Sequence, residues 1–470
     1  METSISFDCR ALAILLLLGA CEPAPAAGFQ PIEQNASGLG TVYAGQAALA
    51  EDASAIYFNP AGLARLEGRG QVVGALHRIS SRSTFRDTGS CAPYVGAGVG
   101  TMACPFGAGG NLGHAVGGDG GTVTENSPLP NVYAAWRSPV PDLWFGIGIN
   151  FPFGLKSERE ATWVGRFHST ASETQAVNIN PTVAWKLSDA VSMGAGLNAQ
   201  RFSAKLSNAV SYRAIALASG VGPLIAAIPP GSEGVATVHG NDWGFGWNAG
   251  VGVRPIHGVD LDLGLAYRSA VRYKFKGDVR FDNRPAALGS VPQVADGPVR
   301  ADIELPDTLS LAVAWRPVSK TLLLLDWTRT GWSSVQDLAI VRDGGPLAGQ
   351  TLSSTPLRFR NSWRAGLGVV REVGLHWKVR AGLAYETSPV TDMFRTPRLA
   401  DAKRNLFGIG AQWSPSAAWA FDAGFAWVRL RNAPTALANQ DTAKTSPAGS
   451  LVGNFSGSAR IVGAQVTRTF

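Results

Sequence analysis

From about residue 70 to its C-terminus the chain alternates apolar and polar residues, and this period of two governs what it can become. In the stretch from Trp377 to Tyr385 the residues Trp377, Val379, Ala381, Leu383 and Tyr385 share one face, and Lys378, Arg380, Gly382 and Ala384 share the other. Trp419, Phe421, Ala423, Phe425 and Trp427 repeat the pattern with Asp422 opposed, as do Leu309, Leu311, Val313 and Trp315 beside Ser310 and Arg316. Such alternation is a strand signal, since a helix would repeat every 3.6 residues. No run of 18 apolar residues occurs, so helical spans, which need about 20, are excluded. Yet charged residues make up only 16%, against about 25% in soluble domains. Strands with one face on lipid and the other on a lumen reconcile the two observations.

The connections follow their own rhythm. Short turns fall at 138–142, 187–190, 255–258, 317–320, 372–374 and 414–416. Between them lie long polar segments at 86–129, 154–172, 208–240, 280–299, 343–354, 389–402 and 431–454. Tight turns on one side and extended loops on the other describe an outer-membrane barrel, and this number of connections joins about fourteen antiparallel strands. Soluble sandwiches also alternate, but they lack aromatic rings at strand ends, where a membrane boundary would hold them. Val462, Ala464 and Val466 alternate up to the terminal Phe470, with Arg468 interrupting. That ending reads as a signal to barrel-assembly machinery.

The N-terminus reads as an export signal, residues 1–26, with an apolar core from Ala11 to Ala20 and small residues Ala24 and Ala26 at the cleavage site. Leu18-Gly19-Ala20-Cys21 offers an alternative lipoprotein site. Removing Glu2, Asp8 and Glu22 with Arg10 takes the net charge from +7 to +9. That excess suits loops and rims beside lipopolysaccharide phosphates, and without a clustered basic stripe no nucleic-acid partner is expected. Cys91 and Cys104 remain in one Gly-rich segment, where an oxidising compartment favours a disulfide. Two cysteines with His114 nearby do not make a metal site, and no cofactor is expected.

Residues 27–69 do not alternate. Ala44 to Ala55 is Ala-rich and is expected as a short helix, followed by Asn59-Pro60-Ala61-Gly62, a punctuated turn. A barrel of this size has a lumen that must be filled, and this segment is the natural hatch. Ala27-Gly-Phe-Gln30, Gln34-Asn-Ala-Ser-Gly38 and Asp52-Ala-Ser-Ala-Ile-Tyr-Phe-Asn-Pro-Ala-Gly62 resemble the hatch of the FadL/TodX-type hydrophobic-compound transporters. The resemblance continues through Pro152-Phe-Gly154, Trp163-Val-Gly-Arg166, Asn178-Ile-Asn-Pro181, Tyr267-Arg-Ser269, Thr330-Gly-Trp-Ser333, Arg380-Ala-Gly382, Ser388-Pro-Val390 and Arg395-Thr-Pro397.

The resemblance implies a fourteen-stranded barrel, residues 70–470, in a Gram-negative outer membrane, working as a monomer. It implies capture of a hydrophobic molecule at outer loops, passage to a lumenal pocket, and lateral release at a kink in the third strand. Gly28, Phe29, Phe58, Asn59, Pro60, Ala61 and Gly62 then belong to the hatch. The third strand is read as Leu143 to Phe153, with Gly146, Gly148, Phe151, Pro152 and Phe153 at the opening. Proline cannot donate to the ladder and glycine permits a bend. A carboxylated substrate would need a cation, for which inward-facing Lys378 and Arg380 are candidates, although lumenal salt bridges are the commoner fate of such residues.

Other classes fit less well. Six dispersed histidines carry no metalloprotease or nucleophile-elbow pattern, so an outer-membrane lipase has no visible site. Gly194-Ala-Gly196 imitates a dinucleotide fingerprint but lies within a strand that leads to another strand, without the helix such a site needs. A general porin would need no hatch. Long-chain fatty acids and aromatic hydrocarbons remain as substrates, with a basic lumen favouring the carboxylate.

Overall fold

The computed structural model describes residues 28–90, 117, 118, 120–255, 258–437 and 448–470. The export signal with Cys21, and the expected Cys91–Cys104 disulfide, lie outside these residues. Nineteen strand segments form one antiparallel sheet of fourteen staves, because five staves are each interrupted once. The uninterrupted staves are β1 (Gly70–Asp87), β2 (Thr122–Arg137), β3 (Leu143–Glu158), β4 (Ala171–Lys186), β5 (Val191–Ser211), β6 (Glu233–Val253), β15 (Trp377–Glu386), β16 (Arg404–Ser416) and β19 (Val452–Thr469). The interrupted ones are β7 (Leu261–Arg268) with β8 (Val271–Phe281), β9 (Gly297–Leu305) with β10 (Thr308–Val318), β11 (Thr321–Thr330) with β12 (Asp337–Arg342), β13 (Thr351–Pro356) with β14 (Ser362–Val373), and β17 (Trp419–Leu430) with β18 (Ala433–Ala436). The ring closes where β1 pairs with β19, from Gln71 opposite Thr469 to Asp87 opposite Gly453.

The alternation read from sequence is the inside–outside pattern of this wall. Leu76, Leu197, Phe245, Leu325, Leu383 and Ile409 are exposed on the outer face, while Arg380, Arg364 and Asp422 are buried within. Trp136, Trp185, Trp315, Trp377 and Trp419 lie near the short turns, and Trp247, Trp327, Trp363 and Trp427 sit towards the other rim. These are the two girdles that a bilayer places at its boundaries. Arg468, which breaks the apolar face of the last stave, lies over the rings of Trp419 at 4.8 Å and Phe470 at 5.4 Å. Its charge is thereby held at the aromatic boundary.

The long connections are shorter than the sequence suggests. β2 begins at Thr122, well inside the expected 86–129 loop, and β3 continues to Glu158. β5 and β6 run 21 residues each, about twice what a membrane crossing needs. Above the lipid neither face must be apolar, so the ladder continues while the pattern that reveals it fades. The expected helix over 44–55 is also corrected. The helix is α1 (Ala55–Phe58), followed by a 3₁₀ stretch at Pro60–Arg65, and residues 44–48 are turns.

A charge on the lipid face tests this orientation. Leu325→Arg should lower folding stability by about 2–4 kcal/mol, read from denaturant titration in lipid vesicles. An unchanged midpoint would place Leu325 off the lipid.

Candidate functional site

Residues 28–66 touch staves on every side of the ring and therefore lie inside it. Asn131 of β2 donates to the Glu33 carbonyl at 2.9 Å, and the Tyr133 hydroxyl donates to the Gln34 carbonyl at 3.0 Å. Two staves away, beyond β1, Gln465 of β19 accepts from the Ala36 amide at 2.9 Å and donates to Asp52 at 2.9 Å. Asn248 of β6 donates to the Ile56 carbonyl at 3.1 Å. Arg364 of β14 donates to the Val42 carbonyl and also pairs with Asp326 at 2.5 Å.

The Asn-Pro-Ala-Gly turn is a staple within this packing. Asn59 accepts from the Ala61 amide at 3.1 Å and so caps the 3₁₀ stretch that Pro60 opens. Its amide nitrogen donates to the carbonyls of Ala47 at 2.6 Å and Val251 at 3.1 Å, tying the segment to β6. Pro60 lies against Gly194, and a Cβ on Gly62 would come within 3.0 Å of Ala55. Phe58 is half-buried and stacks on Tyr43 at 6.0 Å.

The wall breaks beside this segment. β2 pairs with β3 only from Val132–Ile149 to Arg137–Trp144, although β2 pairs with β1 along its length up to Thr122. On the other side, the β3–β4 register slips between Asn150 and Phe153. The break therefore falls at Phe151 and Pro152. Gly146 and Gly148 remain regularly paired, and serve another purpose: a Cβ on Gly146 would come within 2.7 Å of Ile56, and one on Gly148 within 2.8 Å of Tyr133. They make room for α1. From Asn150 to Leu155 all six residues are buried, so alternation is lost. The freed backbone groups are taken up from within. Gln34 donates to the Phe151 carbonyl at 3.1 Å, and the Gly154 amide donates to the Phe29 carbonyl at 2.8 Å.

Phe29 also closes one side of an apolar cavity. Its ring lies 4.9 Å from Trp332 and 5.9 Å from Phe153, while Phe202, Phe275 and Phe359 supply further aromatic wall. Gly28, at φ +61°, passes so close to Trp332 that a side chain would collide, and its amide donates to Asp401 at 3.1 Å. The cavity's edge holds Arg398. This guanidinium donates to Ser172 Oγ at 3.1 Å, to Asn208 Oδ1 at 3.1 Å and to the carbonyls of Ala171 and Ser207, all neutral groups. Burial without a counter-ion lowers its pKa from the ordinary value to about 10, which leaves it charged at neutral pH.

These features coincide with a match of residues 17–470 to the family model described as outer membrane protein transport protein (OMPP1/FadL/TodX). The chain belongs to that family. It is accordingly an outer-membrane β-barrel. The "Long-chain fatty acid transport protein" of Escherichia coli O6:H1 is 27% identical over 91% of this chain and 92% of its own. The crystal structure of a Pseudomonas aeruginosa FadL homologue covers 94% of this chain and all of its own at TM-score 0.79 and 24% identity. That of the Ralstonia pickettii toluene transporter TbuX covers 92% and 98% at TM-score 0.61 and 17% identity.

In this member of the family the two cations expected as anchors are engaged elsewhere. Arg380 pairs with Asp422 and with Glu51 at 3.1 Å, and Lys378 lies 3.6 Å from Glu51. Their charge holds the N-terminal segment to β15 and β17. Arg398 went unread because nothing in its sequence pattern separates it from a loop arginine. The nearest signal was Arg395-Thr-Pro397 beside it. Trp332 likewise lies in the Thr330-Gly-Trp-Ser333 element, whose role only the packing against Phe29 reveals.

Removing one member of the buried pair has a defined cost. Arg380→Ala should destabilise the fold by about 3–5 kcal/mol by stranding Asp422. The double change Arg380→Met with Asp422→Leu should recover most of that loss, read from denaturant midpoints in vesicles.

Proposed function

We propose that the protein carries long-chain fatty acids across the outer membrane, holding the alkyl chain in the apolar cavity with the carboxylate at Arg398. One observation carries this reading: a cation with only neutral partners stands at the edge of a mainly apolar cavity, whose other lining cations, Lys276 and Arg300, are exposed. A second space adjoins it, sharing Leu155, Arg398 and Leu399, and is lined by Lys156, Arg159 and Arg404 together with Glu125, Glu158 and Asp401. Relatives named for long-chain fatty acid transport support the substrate class.

In this reading residues 28–66 act as the hatch, and the break at Phe151 and Pro152 is the lateral exit. Burying an alkyl chain is worth about 0.8 kcal/mol per CH₂, so release into an aqueous channel would oppose transport, whereas release into lipid does not. The aromatic cavity wall favours aryl hydrocarbons as a second substrate class, in keeping with neighbours that are toluene transporters.

Uptake of labelled oleate and toluene by cells carrying each variant separates the two. Arg398→Gln should raise the oleate concentration for half-maximal uptake by about tenfold or more, the loss of one charge-assisted contact, and leave toluene uptake unchanged. An oleate response identical to wild type would remove the anchor. For the hatch, Asn59→Ala should increase ion conductance in planar bilayers, because the staple to β6 is lost; unchanged conductance would argue against a sealing role.

A further inference from the structure

Four neighbouring staves break at one level. The interruptions fall between Arg268 and Val271, Leu305 and Thr308, Thr330 and Asp337, and Pro356 and Ser362. Register sets them side by side: Thr308 lies opposite both Arg268 and Thr330, and Thr330 lies opposite Ser362. Below this line β7, β10, β11 and β14 are joined without a gap. Tyr267, Trp327 and Trp363 stand just beneath it, so the line runs at or above the outer lipid boundary.

Above the line the joining is uneven. β8 holds β9 from Val271–Leu305 to Val279–Gly297, and β12 holds β13 from Asp337–Pro356 onward. Between β9 and β12 only Val341–Arg300 and Arg342–Val299 are paired. Ala301–Leu305 and Asp337–Ile340 therefore border a seam that no ladder pairing closes. At about 3.3 Å per residue it is roughly 13 Å long. Its upper end is held by Arg300 and Asp343 at 3.5 Å, and its lower end by Ser334 Oγ donating to the Glu304 carbonyl at 2.9 Å.

The apolar cavity lies directly behind. Ala301 and Ile303 line it from one rim, and Val335, Leu338 and Ile340 from the other, whereas Asp302 and Asp337 are exposed outside. The two openings in the wall are thus treated differently. Inside the β3 break stand Gln34 and Phe29, which use its backbone groups; behind the β9–β12 seam stands empty apolar space. Phe29 lies between them, touching Trp332 beside the seam and Phe153 at the break.

We propose that the β9–β12 seam is a side entrance, through which apolar molecules pass from the outer surface into the cavity without descending from the loops above. The proposal rests on the transport reading given above. Its test uses full-length protein in cells. Asp337→Cys, on the exposed outer rim of the seam and outside the cavity lining, is labelled either with a bulky maleimide or with a methylthio group, and wild type receives both reagents to control for Cys91 and Cys104. The bulky label should slow initial oleate and toluene uptake about tenfold, equivalent to a barrier about 1.4 kcal/mol higher, while the small label leaves both rates at the wild-type value. Wild-type rates with the bulky label in place would overturn the entrance. Equal slowing by both labels would overturn it too, since it would assign the effect to the lost Asp337–Arg358 contact rather than to passage. Uptake by wild type in the same cells, set against cells lacking the gene, reports on the transport reading separately.

Discussion

Within hydrocarbon an unpaired backbone amide or carbonyl costs several kcal/mol, and this penalty shapes the whole molecule. It forces the ring to close between β1 and β19 and makes any lapse in the ladder informative. Phe151 is the ninth residue of β3 and so lies within the 9–11 residues of a crossing. Its carbonyl is accepted there only because Gln34 donates to it from inside. The β9–β12 seam lies above the outer girdle, where water satisfies what the ladder leaves, and no internal donor is needed. Two lapses with two solutions divide the wall into a break whose backbone groups the N-terminal segment takes up and a seam that it leaves alone.

Lumenal charge is taken up partly by the same segment, through Arg65 and Glu51, and partly by pairs within the wall. Arg65 pairs with Asp262 at 2.6 Å, Arg380 with Glu51 and Asp422, and Arg404 with Glu386 at 2.9 Å. Buried pairs of this kind contribute little net stability, but removing one partner is costly. They therefore fix where the segment sits rather than how tightly the barrel folds. A charge already neutralised by an internal partner is poorly suited to a passing anion. Arg398, in the β15–β16 loop and bound only by neutral oxygens, is by contrast a cation with attraction to spare. Arg268, also bound only by neutral oxygens, is covered by the Tyr57 ring.

The barrel was legible because its membrane zone obeys one strict pattern, and Trp377 to Tyr385 shows it residue by residue. Legibility fails where that constraint lifts. Above the lipid the staves continue as polar strands that resemble loops, which is why β2 and β6 begin earlier than expected. The ladder does lapse on the third strand that the sequence singles out, but Gly146 and Gly148 stay regularly paired, since close approach by Ile56 also demands glycine. The Asn59 turn stood out as a motif, whereas its hydrogen bond to Val251, 192 residues away, leaves no trace in local sequence. Arg398 and Arg380 look alike in sequence. Only their neighbours, neutral in one case and acidic in the other, tell them apart.

The loop that carries Arg398 also carries Asp401, which accepts from the Gly28 amide and from Ser388 Oγ at 2.7 Å. Gly28 precedes Phe29, and the Phe29 carbonyl accepts from Gly154 in the broken stave. The cation that suits a headgroup, the ring that bounds the cavity and the strand that breaks are therefore joined within a few residues. A carrier must bind its cargo strongly enough to load and weakly enough to release. A deep ion pair would defeat the second requirement, since an alkyl chain of a dozen or so methylenes already gains about 0.8 kcal/mol for each one buried. A half-buried arginine shared among hydroxyl, amide and carbonyl oxygens attracts a carboxylate without requiring that a buried charge be stranded when it leaves.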